Sequence, residues 1–332
     1  MTFNYSKLIF LMMLILSSLM ILSADNWLSM WMGLEINLMS FIPLISKTKN
    51  KSSSQAIMIY FLTQSIGSVI LLFSVLMNPL FFLNMTLNEL IKSLMYISIM
   101  IKVGMAPFHL WLPEMLSNLS WLEVSILLTW QKVGPLSILN NMNPNLWFIY
   151  LSVIMSTMIG AIGGLNQTSL RKILAYSSIN HLGWMVMFMS MSTSWYKYLI
   201  IYSMLIILFC IILSENNFYF INQVNSNSYS MMEKYSFHIM LLSIGGLPPF
   251  IGFLPKWMVI QMMIKTNLYF IMLLMMLFSL ITLFYYLRLI TSMILLYSSM
   301  NKWNNYSKMN NLYMFIIYLI NMLLPMFSII NF

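Results

Sequence analysis

Four charged side chains stand inside stretches that are otherwise fit for a membrane. They are Glu35 in WMGLEINLMS, Lys102 at the head of KVGMAPFHLWLPE, Lys132 in LTWQKVGPLSIL and Lys256 in PFIGFLPKW. A charge at that depth costs about 2.5–3.5 kcal/mol on insertion scales, so each needs a partner or a task. A lysine near a span end can snorkel to the interface. That account fits Glu35 and Lys132 poorly, because both lie far from either end of their apolar runs. Amines and carboxylates exchange protons with water, and neighbouring groups of this kind titrate as coupled units. Such a row suits stepwise proton transfer and makes a poor cage for a bulky substrate. His181 and His109 are possible further relay members, since imidazole changes charge near neutral pH. For each, a packing role stands beside the relay role. Glu114 and Glu123 are expected to mark helix ends at the surface, and Arg288 to snorkel.

Two of these charges flank proline breaks. Pro107 has no N–H, so the carbonyl of Val103 loses its helical donor, and Pro248 and Pro249 do the same to Ile244 and Gly245. Freed carbonyls at membrane depth must be satisfied by protein or water. A hydrated path beside each break and a mere packing kink are both open readings. The two breaks echo each other. PFHLWLPE at 107–114 and PFIGFLPK at 249–256 share proline, phenylalanine, leucine and proline, with an aromatic residue in both at Trp111 and Phe253. The copies lie five spans apart, so they are expected to cross in opposite senses, as inverted repeats do. The echo aligns Lys256 with Glu114 and not with Lys102, so symmetry alone assigns no proton site.

The elements that must carry these residues follow from composition. Of 332 residues, 61% are hydrophobic and 7% charged, with mean hydropathy +0.85. No soluble surface can be built from so few polar groups. Apolar runs long enough to cross about 30 Å of hydrocarbon recur along the whole chain. The fold class is therefore an all-α, polytopic transmembrane helix bundle. About eleven spans are expected, at 6–23, 26–45, 56–78, 88–117 (interrupted), 121–140, 145–164, 169–190, 195–214, 236–264 (interrupted), 267–294 and 311–331. The whole chain, 1–332, reads as a single membrane domain. Residues 6–140 form the first inverted repeat, 145–294 the second, and 311–331 an extra C-terminal helix. The Asn- and Ser-rich stretch from Glu215 to Tyr235 reads as a flexible linker.

Several classes are excluded. The first apolar run lacks a signal-peptide cleavage motif, and period-2 alternation for a barrel is missing. The single cysteine, Cys210, rules out an internal disulfide and any all-cysteine cluster or zinc site. There is no dinucleotide fingerprint or P-loop, and Gly160, Gly163 and Gly164 read as close packing or a helix end. The net charge of +9 comes from cations scattered through short loops, so no nucleic-acid partner is expected. Lys7, Lys47, Lys49, Lys51, Arg171, Lys172, Lys302 and Lys308 fall on one side of an eleven-span chain. That places the N-terminus in the cytoplasm-equivalent compartment and the C-terminus opposite.

The assembled motifs carry a resemblance. WMGLEINLMSFIPL, IYFLTQS at 59–65, KVGMAPFHLWLPE, TWQKVGP at 129–135, LNQTSLRKILAYSSINHLGW at 165–184 and GGLPPFIGFLPKW at 245–257 cover essentially the whole chain. Together they resemble the antiporter-like membrane subunits of respiratory complex I, and among these the subunit 2 family in an invertebrate form. The 37 methionines agree with an AT-rich mitochondrial genome. The resemblance implies inverted five-helix repeats, each with one broken helix, and a place in the mitochondrial inner membrane with the N-terminus in the matrix and the C-terminus facing the intermembrane space. It also implies proton translocation coupled to NADH:ubiquinone electron transfer carried out in other subunits, and Glu35, Lys102, Lys132 and Lys256 match the family's intramembrane proton positions. NADH, FMN, iron–sulfur clusters and ubiquinone would belong to partner subunits, with no cofactor or metal held by this chain. Its expected partners are other membrane-arm subunits and lipids. Longer family members carry three further N-terminal helices that this chain lacks. A stand-alone cation/proton antiporter and a purely structural membrane subunit are the alternative functions.

Overall fold

The structure, a computed structural model, describes residues 5–46, 51–78, 85–142, 144–192, 194–226, 231–297, 318, 319 and 321. Among these residues the regular structure is helical, apart from one isolated bridge between Ser169 and Phe220. Helices are the expected outcome for such a chain, because hydrocarbon offers no partner to an open backbone group. Buried serines follow the same logic. Ser17, Ser40, Ser74, Ser98 and Ser243 each donate their hydroxyl to the carbonyl three residues back, at 2.6–2.9 Å.

The chain divides into two compact units, Met1–Met155 and Ser156–Phe332. The first holds α1 (Tyr5–Ser23), α2 (Trp27–Ile45), α3 (Lys51–Met77), α4 (Met85–Val103), α5 (Trp111–Asn118), α6 (Trp121–Leu128), a 3-10 turn (Trp130–Lys132), α7 (Val133–Met142) and the start of α8 (Leu146–Gly164). Helix α1 packs along α2 and α3 along α4, while α7 touches α1, α2 and α4. The outer face of α1 presents Leu8, Ile9, Met12, Leu16 and Leu19. Such a face is stable where lipid, not water, surrounds it.

The second unit continues through α9 (Leu170–Met191), α10 (Trp195–Glu215), α11 (Ile221–Ser226), α12 (Met231–Gly245), α13 (Phe253–Lys265) and α14 (Tyr269–Tyr297). Helix α9 packs against α10, α13 and α14, and α12 lies between α10 and α14. Helices α2, α3, α8, α10 and residues Tyr269–Ser292 of α14 are each long and apolar enough to cross a membrane. Both interrupted spans are broken where expected, between α4 and α5 and between α12 and α13. The helix expected at 311–331 lies outside the described residues save 318, 319 and 321, as do Lys47, Lys49, Lys302 and Lys308.

Three expectations need correction. The span at 121–140 is not continuous, because the 3-10 turn separates α6 from α7. Pro135 lacks the N–H that would bond the Gln131 carbonyl, and it sits comfortably only in the first turn of a new helix. The stretch after Glu215 is not a plain linker over its described part. The Gln223 side-chain oxygen accepts from the amides of Tyr219 and Phe220 at 2.7 and 3.1 Å, and Arg171 stacks 4.7 Å above the Tyr219 ring. Residues 227–230 of that stretch lie outside the described residues. Glu123 does mark a helix end, forming a capping box with Ser120, but it is buried and not at the surface. Arg288 donates to the carbonyls of Leu165 and Gln167, holding the turn after α8.

Candidate functional site

The two breaks open on the same glycine turn, and only the first carries a cis peptide, at Ala106–Pro107. At the first, Gly104 takes φ +78°, and the amides of Gly104 and Met105 both bond the Met100 carbonyl, at 2.9 and 3.0 Å. At the second, Gly246 takes φ +80°, and the amides of Gly246 and Leu247 both bond the Leu242 carbonyl, at 3.0 and 3.2 Å. This is the left-handed helix end that glycine favours. Each glycine precedes the matched proline by the same spacing, Gly104 before Pro107 and Gly246 before Pro249.

Side chains take up carbonyls released at the breaks. Trp111 Nε1 donates to the Ile101 carbonyl at 3.1 Å, and Gln64 Nε2 to the Lys102 carbonyl at 3.1 Å. At the second break, Lys256 Nζ donates to the Gly245 carbonyl at 2.8 Å. Gly245 is one of the carbonyls whose donor the paired prolines withhold.

In the first unit, α2 supplies Glu35 and the last turn of α4 supplies Lys102, whose Nζ lies 3.8 Å from Glu35 Oε1. The Lys102 side chain is 3% exposed and that of Glu35 26%, so the pair joins a buried amine to a carboxylate with partial outside access. Gly67 on α3 leaves room for this lysine: a Cβ there would meet Lys102 Cγ at 3.0 Å. Lys132 closes the 3-10 turn and is also buried. Lys102 and Lys132 line one cavity of about 20 Å³, together with Asn37, Tyr60, Gln64 and Gln131. That volume holds about one water molecule, and the polar lining supplies the partners a buried water needs. Tyr60 donates its hydroxyl to Gln131 Oε1 at 3.4 Å.

Reasoning from charge alone missed Asn37, Tyr60, Gln64 and Gln131. Their signal was available, since an amide within an apolar helix needs a partner as a charge does. Of the predicted residues, Glu35, Lys102 and Lys132 come together in the first unit. His109 lies at the rim of the first break, where Nδ1 is 3.1 Å from the Pro107 carbonyl, and it is not among the residues lining the cavity.

In the second unit, His181 projects from the middle of α9 and is buried, with Nδ1 2.9 Å from the Tyr198 hydroxyl and the Tyr202 ring 5.0 Å away. Lys256 rises from the first turn of α13 and is 4% exposed. Pro248 and Pro249 form the exposed outer side of its break. The glycines near the end of α8 serve packing. A Cβ on Gly160 would lie 2.6 Å from the Asn180 amide nitrogen, and one on Gly163 would lie 2.4 Å from the Tyr176 ring.

The chain is similar to known proteins over most of its length. Residues 24–282 match the family described as NADH:quinone oxidoreductase/Mrp antiporter, TM. The chain is 43% identical over 312 residues to NADH-ubiquinone oxidoreductase chain 2 of Locusta migratoria, covering 93% of this chain and 91% of that one. Identity to the protein of the same name from Anopheles gambiae is 45% over 316 residues, covering 92% and 91%. A chain of respiratory complex I from Thermus thermophilus with bound aureothin shares the fold, with a TM-score of 0.83 at 20% identity over 96% of this chain and 77% of that one. The apolar helices and these relatives make the protein a multi-pass membrane protein. The chain belongs to the NADH:quinone oxidoreductase/Mrp antiporter membrane family and, within it, to the NADH-ubiquinone oxidoreductase chain 2 family.

Proposed function

We propose that this chain is a core membrane-arm subunit of respiratory complex I that moves protons across the mitochondrial inner membrane. The redox chemistry that drives it resides in other subunits, which hold NADH, FMN, iron–sulfur clusters and ubiquinone. The observation that carries the proposal is the first-unit cluster: Glu35 paired with Lys102 at 3.8 Å, and Lys102 and Lys132 opening onto one polar cavity. A proton on Lys102 is held by the neighbouring carboxylate. A shift in the charge on Glu35, imposed by a neighbouring subunit, releases it through the cavity water toward Lys132. Lys256, with His181, serves the second unit in the same capacity.

The same glycine turn at both breaks supports inverted repeats at 6–140 and 145–294, and we read the chain as eleven spans that include a helix at 311–331. Loop cations put the N-terminus in the matrix and the C-terminus in the intermembrane space. Partners are other membrane-arm subunits and lipids.

Replacing Lys132 with Met keeps the volume and removes the titratable amine. The expected result is an assembled complex with coupled proton pumping lost; normal pumping in the assembled variant refutes the assignment. The family's antiporter members favour a second reading, a stand-alone cation/proton antiporter. It requires the isolated chain to exchange cations for protons in liposomes, and the complex I reading requires that it does not. A purely structural role requires Lys132→Met to reduce assembly before transport.

A further inference from the structure

We propose that Gly246 is a positioning residue for Lys256: its missing side chain is the seat that holds the lysine amine on the last carbonyl of α12. The proposal rests on Lys256 being a proton carrier. Helix α12 ends at Gly245, and the chain turns away through Gly246 at φ +80°. The next two amides are already bonded to the Leu242 carbonyl, and residues 248 and 249 are prolines with no N–H to offer. The Gly245 carbonyl therefore looks for a side-chain donor, and Lys256 Nζ meets it at 2.8 Å. A charged donor is favoured there, because the final carbonyls of a helix carry partial negative charge and charge-assisted bonds are the stronger ones.

Gly246 does more than permit the turn. A Cβ at this position would fall 2.8 Å from Lys256 Nζ and 3.0 Å from both its Cδ and Cε, inside the volume the lysine fills. The matching glycine in the first break shows that this is not a general demand of the turn. At Gly104, with φ +78°, the three atoms nearest the added Cβ belong to Trp111 and Leu112.

The test uses the assembled complex carrying Gly246→Asn, since asparagine tolerates positive φ while its Cβ still intrudes. Cryo-electron microscopy reads the position of Lys256 Nζ, and reconstituted vesicles read protons pumped per NADH, with Lys256→Met as reference. Support is an amine moved off the Gly245 carbonyl together with a proton yield lowered to the Lys256→Met level. An amine still on that carbonyl overturns the proposal, and so does a displaced amine with an unchanged yield. If Gly246→Asn lowers the amount of assembled complex, the Gly246→Asn/Lys256→Ala double variant decides. Restored assembly is expected, because the atoms that the new Cβ meets are gone; no restoration assigns the glycine to backbone geometry alone and overturns the proposal. Normal pumping by Lys256→Met sinks the proton-carrier reading instead, and the seat is then judged on the position of the amine.

Discussion

Glu35→Gln tests the pair at the centre of the first unit. Two unit charges 3.8 Å apart attract by about 4 kcal/mol at an effective dielectric of about 20. Burying both groups costs part of this back, and roughly 2 kcal/mol is the expected net loss. At 1.4 kcal/mol per tenfold, that weakens the hold on a charged Lys102 by about thirtyfold. Glutamine preserves shape, so assembly and the helix contacts of α2 should persist. The assay is NADH oxidation and vesicle acidification by the purified complex, with assembly checked on native gels. Coupled pumping is expected to fall roughly ten- to thirtyfold, and Glu35→Asp to retain more than the glutamine variant. Pumping within about twofold of the parent, in a fully assembled Glu35→Gln complex, refutes the electrostatic argument.

Three further variants probe the framework. Gly160→Ala places a Cβ 2.6 Å from the Asn180 amide nitrogen and 2.8 Å from the Tyr176 carbonyl, where neither atom belongs to a side chain that can swing aside. A loss of about 1–3 kcal/mol is expected, read as a lower thermal midpoint of the complex. Arg288→Ala strips donors from the Leu165 and Gln167 carbonyls and is expected to cost about 1–3 kcal/mol, with Arg288→Lys recovering only part because a single amine cannot reproduce the fork. Trp111→Phe keeps the ring but leaves the Ile101 carbonyl without its indole donor. A similar loss of heat stability is expected, and an unchanged midpoint would mean that another donor takes its place.

The course of the helices was legible because lipid imposes long apolar runs and prolines mark the breaks. LPEM after Pro107 and LPKW after Pro249 both open new helices, as proline near a helix start allows. The break before α7 escaped notice because Pro135 lies within a run long enough to cross as one helix, with no echo elsewhere to mark it. Glu35 and the lysines were legible by the cost of burying charge. Tyr60, Gln64 and Gln131 were not, because an amide or a phenol is cheap enough to be passed over singly. Which of them share a cavity depends on how α3 and α5 pack, a contact that no local pattern encodes. The partners of Arg288 were hidden for the same reason: they lie in a turn more than a hundred residues earlier in the chain.

The likeness of the two breaks has a consequence for how such a chain can diverge. Each break opens on the same glycine turn, three residues ahead of a proline. What plugs into it is interchangeable, an indole and an amide at one, an amine at the other. A single side-chain exchange can then change which donor meets the freed carbonyl without redrawing the helices around it. The donor at each break can thus vary one residue at a time while the helical frame stays fixed.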